Sequence, residues 1–167
     1  GSNGKTTTKE LITAVLKTQY RTHATVGNLN NHIGVPLTLL SMPLDTEIGI
    51  IEMGANHLQE IEGYCTIAQP THAIITNCGK AHLEGFGGIE GVLKGKSELF
   101  DFVKNKNGIL FINSGEKKLM ALFSGYPKMI TYGFEANDYA SGKMITGNEF
   151  AQLKLDNNIF IQSHLVG

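Results

Sequence analysis

Apolar positions along the chain switch repeatedly between two spacings. Short runs rich in Val, Ile and Thr at 22–26, 48–53, 72–77, 108–113 and 129–132 predict strands. Between them, 5–20, 34–41, 57–69, 89–105 and 116–123 carry apolar residues three and four apart, as in Leu11 with Val15 and Ile12 with Leu16, and predict helices. Strands and helices in alternation imply an α/β fold, with a mostly parallel sheet covered by helices on both faces. After Gly133 the helical spacing disappears. Runs at 139–146, 149–155 and 159–164, joined at Gly147-Asn148 and Asn157-Asn158, predict a small antiparallel β appendage over 135–167, beyond a parallel-sheet part at 1–134.

The helix at 89–105 breaks its own pattern. Ile89, Val92, Leu93, Leu99, Phe100 and Val103 define one stripe, and Lys96, seven residues after Ile89, projects about 20° from that residue on the same face. A lone ammonium there is costly, so Lys96 is expected to snorkel, pair, deprotonate or be chemically altered.

Composition narrows the function classes. A chain of 167 residues with 41% apolar content builds one ordinary domain with a real core. Fourteen Lys and Arg balance fifteen Asp and Glu to a net charge of −1, which disfavours a nucleic-acid or anionic-membrane partner. No apolar run is long enough to cross a bilayer, and no signal-type segment opens the chain. Cys65 and Cys78 stand in no metal or redox spacing, so reduced thiols in a cytoplasmic setting are expected.

The chemistry concentrates at the N-terminal end. Gly1-Ser2-Asn3-Gly4-Lys5-Thr6-Thr7-Thr8 runs into a helix and carries the second half of the Walker pattern. Backbone N–H groups there can hold phosphate oxygens, Lys5 can reach the outer phosphates, and Thr6 can offer a hydroxyl to Mg²⁺. Such a loop ordinarily follows a central strand, so the chain reads as an excerpt of a longer protein. In open parallel sheets ligands sit beyond the carboxyl ends of strands, where this sequence places Glu52, Asn77 and Asn113. Glu52 suits a magnesium ligand or a water-orienting group; each Asn taken alone reads first as an Asx turn, and the repetition at three strand ends points towards function. His82 lies in a glycine-rich loop and is a candidate metal ligand or proton carrier. Residues His23, His32, His57, His72 and His164 show no ligand spacing and read as structural.

The phosphate loop, Gly27-Asn28-Leu29-Asn30-Asn31-His32-Ile33-Gly34-Val35-Pro36, Glu52-Met53-Gly54-Ala55-Asn56-His57, the segment 77–87 and Lys96-Ser97-Glu98-Leu99-Phe100 together resemble the central domain of Mur ligases. The resemblance covers nearly the whole chain, with five motifs in order. Its pattern is nearest to the members that join D-Ala-D-Ala to UDP-MurNAc-tripeptide. The resemblance implies an ATP-dependent amide ligase of bacterial peptidoglycan precursor synthesis, working through an acyl phosphate and releasing ADP and phosphate. It implies that Ser2, Asn3, Gly4, Lys5, Thr6, Thr7 and Asn113 contact the nucleotide, and that Asn28, Asn30 and Asn31 face the UDP-sugar peptide. Thr6, Glu52, His82 and Lys96, the last as a CO₂-derived carbamate, would serve two Mg²⁺ ions, with Lys5, Glu52, His82 and Lys96 catalytic. It further implies that an N-terminal UDP-binding domain and a C-terminal ligase domain lie outside this chain. Two departures stand out: His32 replaces an expected acidic residue, and Asn113 lacks the usual acidic residue two places on. The alternatives are a tripeptide-forming Mur ligase or folylpolyglutamate synthase, against which Asn28-Leu29-Asn30-Asn31 argues, and a P-loop NTPase that ligates nothing.

Overall fold

The computed structural model describes residues 2–79, 83–146 and 150–166. They divide into two compact units, Gly1–Ile109 and Leu110–Gly167. The first unit contains α1 (Lys5–Leu16), β1 (Thr22–Ala24), α2 (Gly34–Leu40), β2 (Ile48–Ile50), α3 (Glu60–Ala68), β3 (His72–Ile74), α4 (Leu83–Phe86) and α5 (Ile89–Asn105). Strands β1 and β2 run parallel, with Thr22 opposite Ile48 and Ala24 opposite Ile50. The α/β alternation read from the sequence is therefore present, with shorter strands than the apolar runs suggested. The physical reason is visible at β2. Beyond Ile50 the backbone leaves the ladder: the Glu52 amide donates to Thr25 Oγ1 and the Gly54 amide to the Asn30 carbonyl.

Helices α2, α3, α4 and α5 converge on one core built from Val35, Ala55, Ile61, Tyr64, Cys65, Phe86 and Val92. Burial, with the nearby carboxylates of Glu98 and Glu62, pushes the Cys65 thiol up to about 12, so it stays a neutral apolar filler. In α5 the predicted stripe is kept: Val92, Phe100 and Val103 are fully buried. A Cβ on Gly95 would run into the Phe86 ring, so this glycine lets α4 close against α5. The Phe86 ring in turn lies 5.8 Å from Lys96 Nζ. Phe100 has no exposed surface, and Phe100→Ala should cost about 3–5 kcal/mol, read as a lowered denaturant midpoint.

Helix α1 keeps only one of its two apolar pairs inward: Ile12 and Leu16 are half-buried. Leu11 and Val15 are 46% and 68% exposed, whereas Lys9 and Thr13 are buried at 4% each. Lys9 is held inward by the Thr25 and Gly27 carbonyls, and Thr13 meets its own polar demand by donating to the Lys9 carbonyl within the helix, so two polar residues share the buried face with Ile12 and Leu16. The helix stops at Leu16 rather than 20, because the Thr18 amide and hydroxyl both turn back onto the Val15 carbonyl.

The second unit holds β4 (Ile109–Asn113), which begins at the boundary, α6 (Lys117–Leu122), β5 (Met129–Gly133), β6 (Ala140–Ile145), β7 (Phe150–Leu155) and β8 (Phe160–Val166). Strand β4 pairs parallel with β5, and alternate residues Leu110 and Ile112 are fully buried with Leu119 of α6. Strand β6 overlaps β5 by only two residue pairs, which a six-residue connection can span. It then pairs antiparallel with β7, and β7 with β8. The turn at Asn157-Asn158 carries Asn158 at φ 64°, a left-handed position that Asn tolerates. The Gly147-Asn148 turn lies outside the described residues. Among the described residues, no helix is long and apolar enough to cross a membrane.

Candidate phosphate and metal site

The N-terminal loop turns into α1 at Gly4, whose φ of 73° favours glycine and whose side, open to 4 Å around, leaves room for a ligand. No side chain caps this helix. The loop is held instead from the end of β3. Asn77 Oδ1 accepts from the Ser2 and Asn3 amides at 3.1 Å each, and its Nδ2 donates to the Asn3 carbonyl at 3.0 Å. Thr76 Oγ1 donates to the same carbonyl at 2.6 Å, and Ser2 Oγ donates to the Gly79 carbonyl. Asn77, which the sequence placed only at a strand end, is thus the clasp of the phosphate loop.

In the first turn of the helix, Thr6 Oγ1 donates to Glu52 Oε1 at 3.2 Å. Asn30 Nδ2 donates to that same oxygen at 2.7 Å. The carboxylate is 6% exposed, and its other oxygen, Oε2, is buried without a hydrogen-bond partner among the described residues. A buried anionic oxygen with no donor is costly, and a hard cation satisfies it. The donors present, a carboxylate and a hydroxyl beside a phosphate loop, fit Mg²⁺, which takes one or two protein ligands and leaves the rest to phosphates and water. Among the described residues no group of three His, Cys, Asp or Glu gathers as a dedicated cage.

Lys96 is buried at 7% exposure. Burial, reinforced by the Lys5 ammonium, lowers its pKa, with an opposing pull from Cys78. It lines a cleft of about 400 Å³ together with Lys5, Asn30, Asn31, His32 and His57. Glu60 lines the same cleft. Burial works to raise the Glu60 carboxyl, but the Asn56 and His57 amides at 2.7 and 3.1 Å outweigh it and keep it below the usual carboxylate range. His57 Nδ1 lies 3.6 Å from Glu60 Oε1.

The residues singled out from the sequence are thus placed unequally. Lys5, Thr6, Glu52, Asn30, Asn31 and Lys96 gather around the loop and its cleft. Asn31 also caps α2, its Oδ1 accepting from the Ile33 and Gly34 amides. Asn28 is exposed, its carbonyl accepting from the Asn30 amide. Asn113, in the second unit, forms an Asx turn with the Gly115 amide at 2.8 Å. His82 lies outside the described residues. Sequence reasoning missed Lys9 and the cleft position of His57. The signal for Lys9 was its place four residues after Lys5, on the same helix face.

Residues 1–167 match the Mur ligase middle domain family. The UDP-N-acetylmuramoyl-tripeptide--D-alanyl-D-alanine ligase of Bacillus subtilis (strain 168) is 43% identical over 165 residues, covering 96% of this chain and 35% of that protein. The like-named Escherichia coli (strain K12) protein is 45% identical over 114 residues, covering 68% of this chain and 25% of its own length. Crystal structure I of MurF from Acinetobacter baumannii superposes with a TM-score of 0.86 at 30% identity, covering 100% of this chain and 38% of that one. MurF ligase from Thermotoga maritima in complex with ADP gives 0.85 at 29% identity, covering 97% and 38%. The chain therefore spans about a third of the length of these relatives. By sequence and by fold, the chain belongs to the Mur ligase family, as a middle domain.

Proposed function

We propose that this chain is the nucleotide-binding middle of an ATP-dependent ligase that joins D-alanyl-D-alanine to UDP-N-acetylmuramoyl-tripeptide. The observation carrying this reading is the Thr6, Glu52 and Asn30 cluster, with an unmet carboxylate oxygen, at the phosphate loop. On the same reading the phosphate loop belongs to a mostly parallel sheet with helices on both faces, β6 to β8 form an appendage, and N-terminal UDP-binding and C-terminal ligase domains complete a cytoplasmic enzyme.

The chemistry follows in two steps. A substrate carboxylate attacks the γ-phosphorus of ATP, breaking the bond to ADP and forming an acyl phosphate. The dipeptide amine then attacks the acyl carbon, phosphate leaves, and the nitrogen loses a proton. Lys5 neutralises the β- and γ-phosphate oxygens while the backbone from Ser2 to Thr7 aligns them, and alignment with charge neutralisation carries most of the rate in such transfers. Thr6, Glu52 and His82 would hold Mg²⁺, which supplies positive charge against two mutually repelling anions. Lys96 suits a carbamate: its lowered pKa favours the neutral amine, the form that adds CO₂ with loss of a proton. Asn28 and Asn31 face the UDP-linked peptide in this reading, and Asn113 remains a nucleotide contact.

The test is phosphate release by the full-length enzyme. Release should require both UDP-MurNAc-tripeptide and D-Ala-D-Ala, and neither meso-diaminopimelate nor glutamate should replace the dipeptide. Release without any acceptor would make the protein an NTPase and sink the ligase reading. A second expectation separates two roles of Asn30. Asn30→Ala should raise the Mg²⁺ concentration for half-maximal rate by about 10-fold to 100-fold, since the amide orients the ligand Glu52. A rise in KM for the UDP-peptide alone would instead make Asn30 a substrate contact.

A further inference from the structure

We propose that Lys9 is a positioning residue that couples the phosphate loop to the loop beginning at Gly27, so that nucleotide bound at the first tightens the second for its own substrate. Its ammonium is buried and fully engaged: Nζ donates to the Thr25 carbonyl at 2.6 Å and the Gly27 carbonyl at 2.7 Å, and lies 2.8 Å from Glu10 Oε1. Three donors meet three acceptors, which is what allows a charge at 4% exposure to be tolerated. The partners are specific points of the chain. Thr25 is where β1 has just ended, and Gly27, at φ 55°, is where the backbone turns towards Asn28 to Asn31.

The same Thr25 accepts the Glu52 amide on its hydroxyl at 2.9 Å. Glu52 in turn receives Asn30 Nδ2 and Thr6 Oγ1 on Oε1, and the Gly54 amide donates to the Asn30 carbonyl at 2.7 Å. A Cβ on Gly54 would sit 2.6 Å from Asn30 Oδ1, so the approach depends on that glycine. The bonds close a ring: from α1 through Lys9 to Thr25, on to Glu52, and back to α1 through Thr6, with Asn30 attached at Glu52. Lys5 and Lys9 are one turn apart on α1, so a displacement of the first turn by phosphate is carried to both carbonyls that set the second loop. A ring of short bonds has few independent motions, and that is the physical content of the coupling.

This rests on the functional reading above only for the identity of the second ligand. In the full-length enzyme, Mg-ADP should raise the affinity for UDP-MurNAc-tripeptide by about 5-fold or more by calorimetry. In Lys9→Met that ratio should fall to about 1, while the affinity for ADP alone changes by less than about 3-fold. A wild-type ratio of 1, or an unchanged ratio in the variant, overturns the proposal. Should Lys9→Met fail to fold, hydrogen exchange on the wild type decides: Mg-ADP should slow the Leu29, Asn30 and Gly54 amides, and unchanged rates there overturn it. Failure of the functional reading shows separately, as wild-type enzyme that releases no phosphate with both substrates present.

Discussion

Lys96→Ala in the full-length enzyme should lower ligation by at least about 10³-fold, and formate or acetate added at high concentration should restore part of it. The reasoning starts from burial. Burial to 7% exposure and the nearby Lys5 ammonium make this a poor place for a cation, a penalty that the face of the Phe86 ring only partly offsets. On the proposed function a carbamate there would be an anion facing the cleft that Lys5 also lines. Alanine removes that anion and leaves a space that a short carboxylate can enter. Normal turnover by the variant would remove the carbamate from the mechanism. Loss without rescue by any short acid, in a variant that still binds ADP, would assign Lys96 to packing alone.

Lys5→Met should cost about 10³-fold in kcat, with a smaller rise in KM for ATP. In the structure Lys5 Nζ lies 3.4 Å from the Ser2 carbonyl, folded back over its own loop. Its value is therefore expected to be greatest when negative charge moves onto the γ-phosphate oxygens during transfer, rather than in the ground state. Steady-state kinetics with saturating UDP-peptide and D-Ala-D-Ala measure the split. A loss confined to KM would reduce Lys5 to a ground-state binding residue.

The fold was legible where one face of an element decides its fate. Helix α5 came out over the residues its stripe predicts, because Val92, Phe100 and Val103 leave one buried solution. Helix α1 was legible only in part: Ile12 and Leu16 are half-buried, but hydropathy counts a lysine as a surface residue and cannot see the two carbonyls awaiting Lys9. The start of α3 slipped from 57 to Glu60 for a similar reason. Gln59 takes a left-handed conformation, and the Glu98 carboxylate of α5 receives the Gln59 and Glu62 amides at 2.7 and 3.1 Å. Such long-range caps leave no mark in a local window. Within the site, Thr6 and Glu52 were readable because a phosphate loop and a strand end are motifs with fixed geometry. Asn30 as the partner of Glu52 was not, because 22 residues separate them and it takes the pairing of β1 with β2 to bring their loops together.

The clasp by Asn77 has a consequence for the order in which the molecule is made. Ser2 and Asn3 are made some 75 residues before Asn77, so their amides meet its Oδ1 only after that stretch has been synthesised. Contacts so distant along the chain form late and slowly. On the proposed function, nucleotide would find its loop held in place only after Asn77 has reached Ser2 and Asn3, and ATP would then stabilise the completed unit rather than a nascent one.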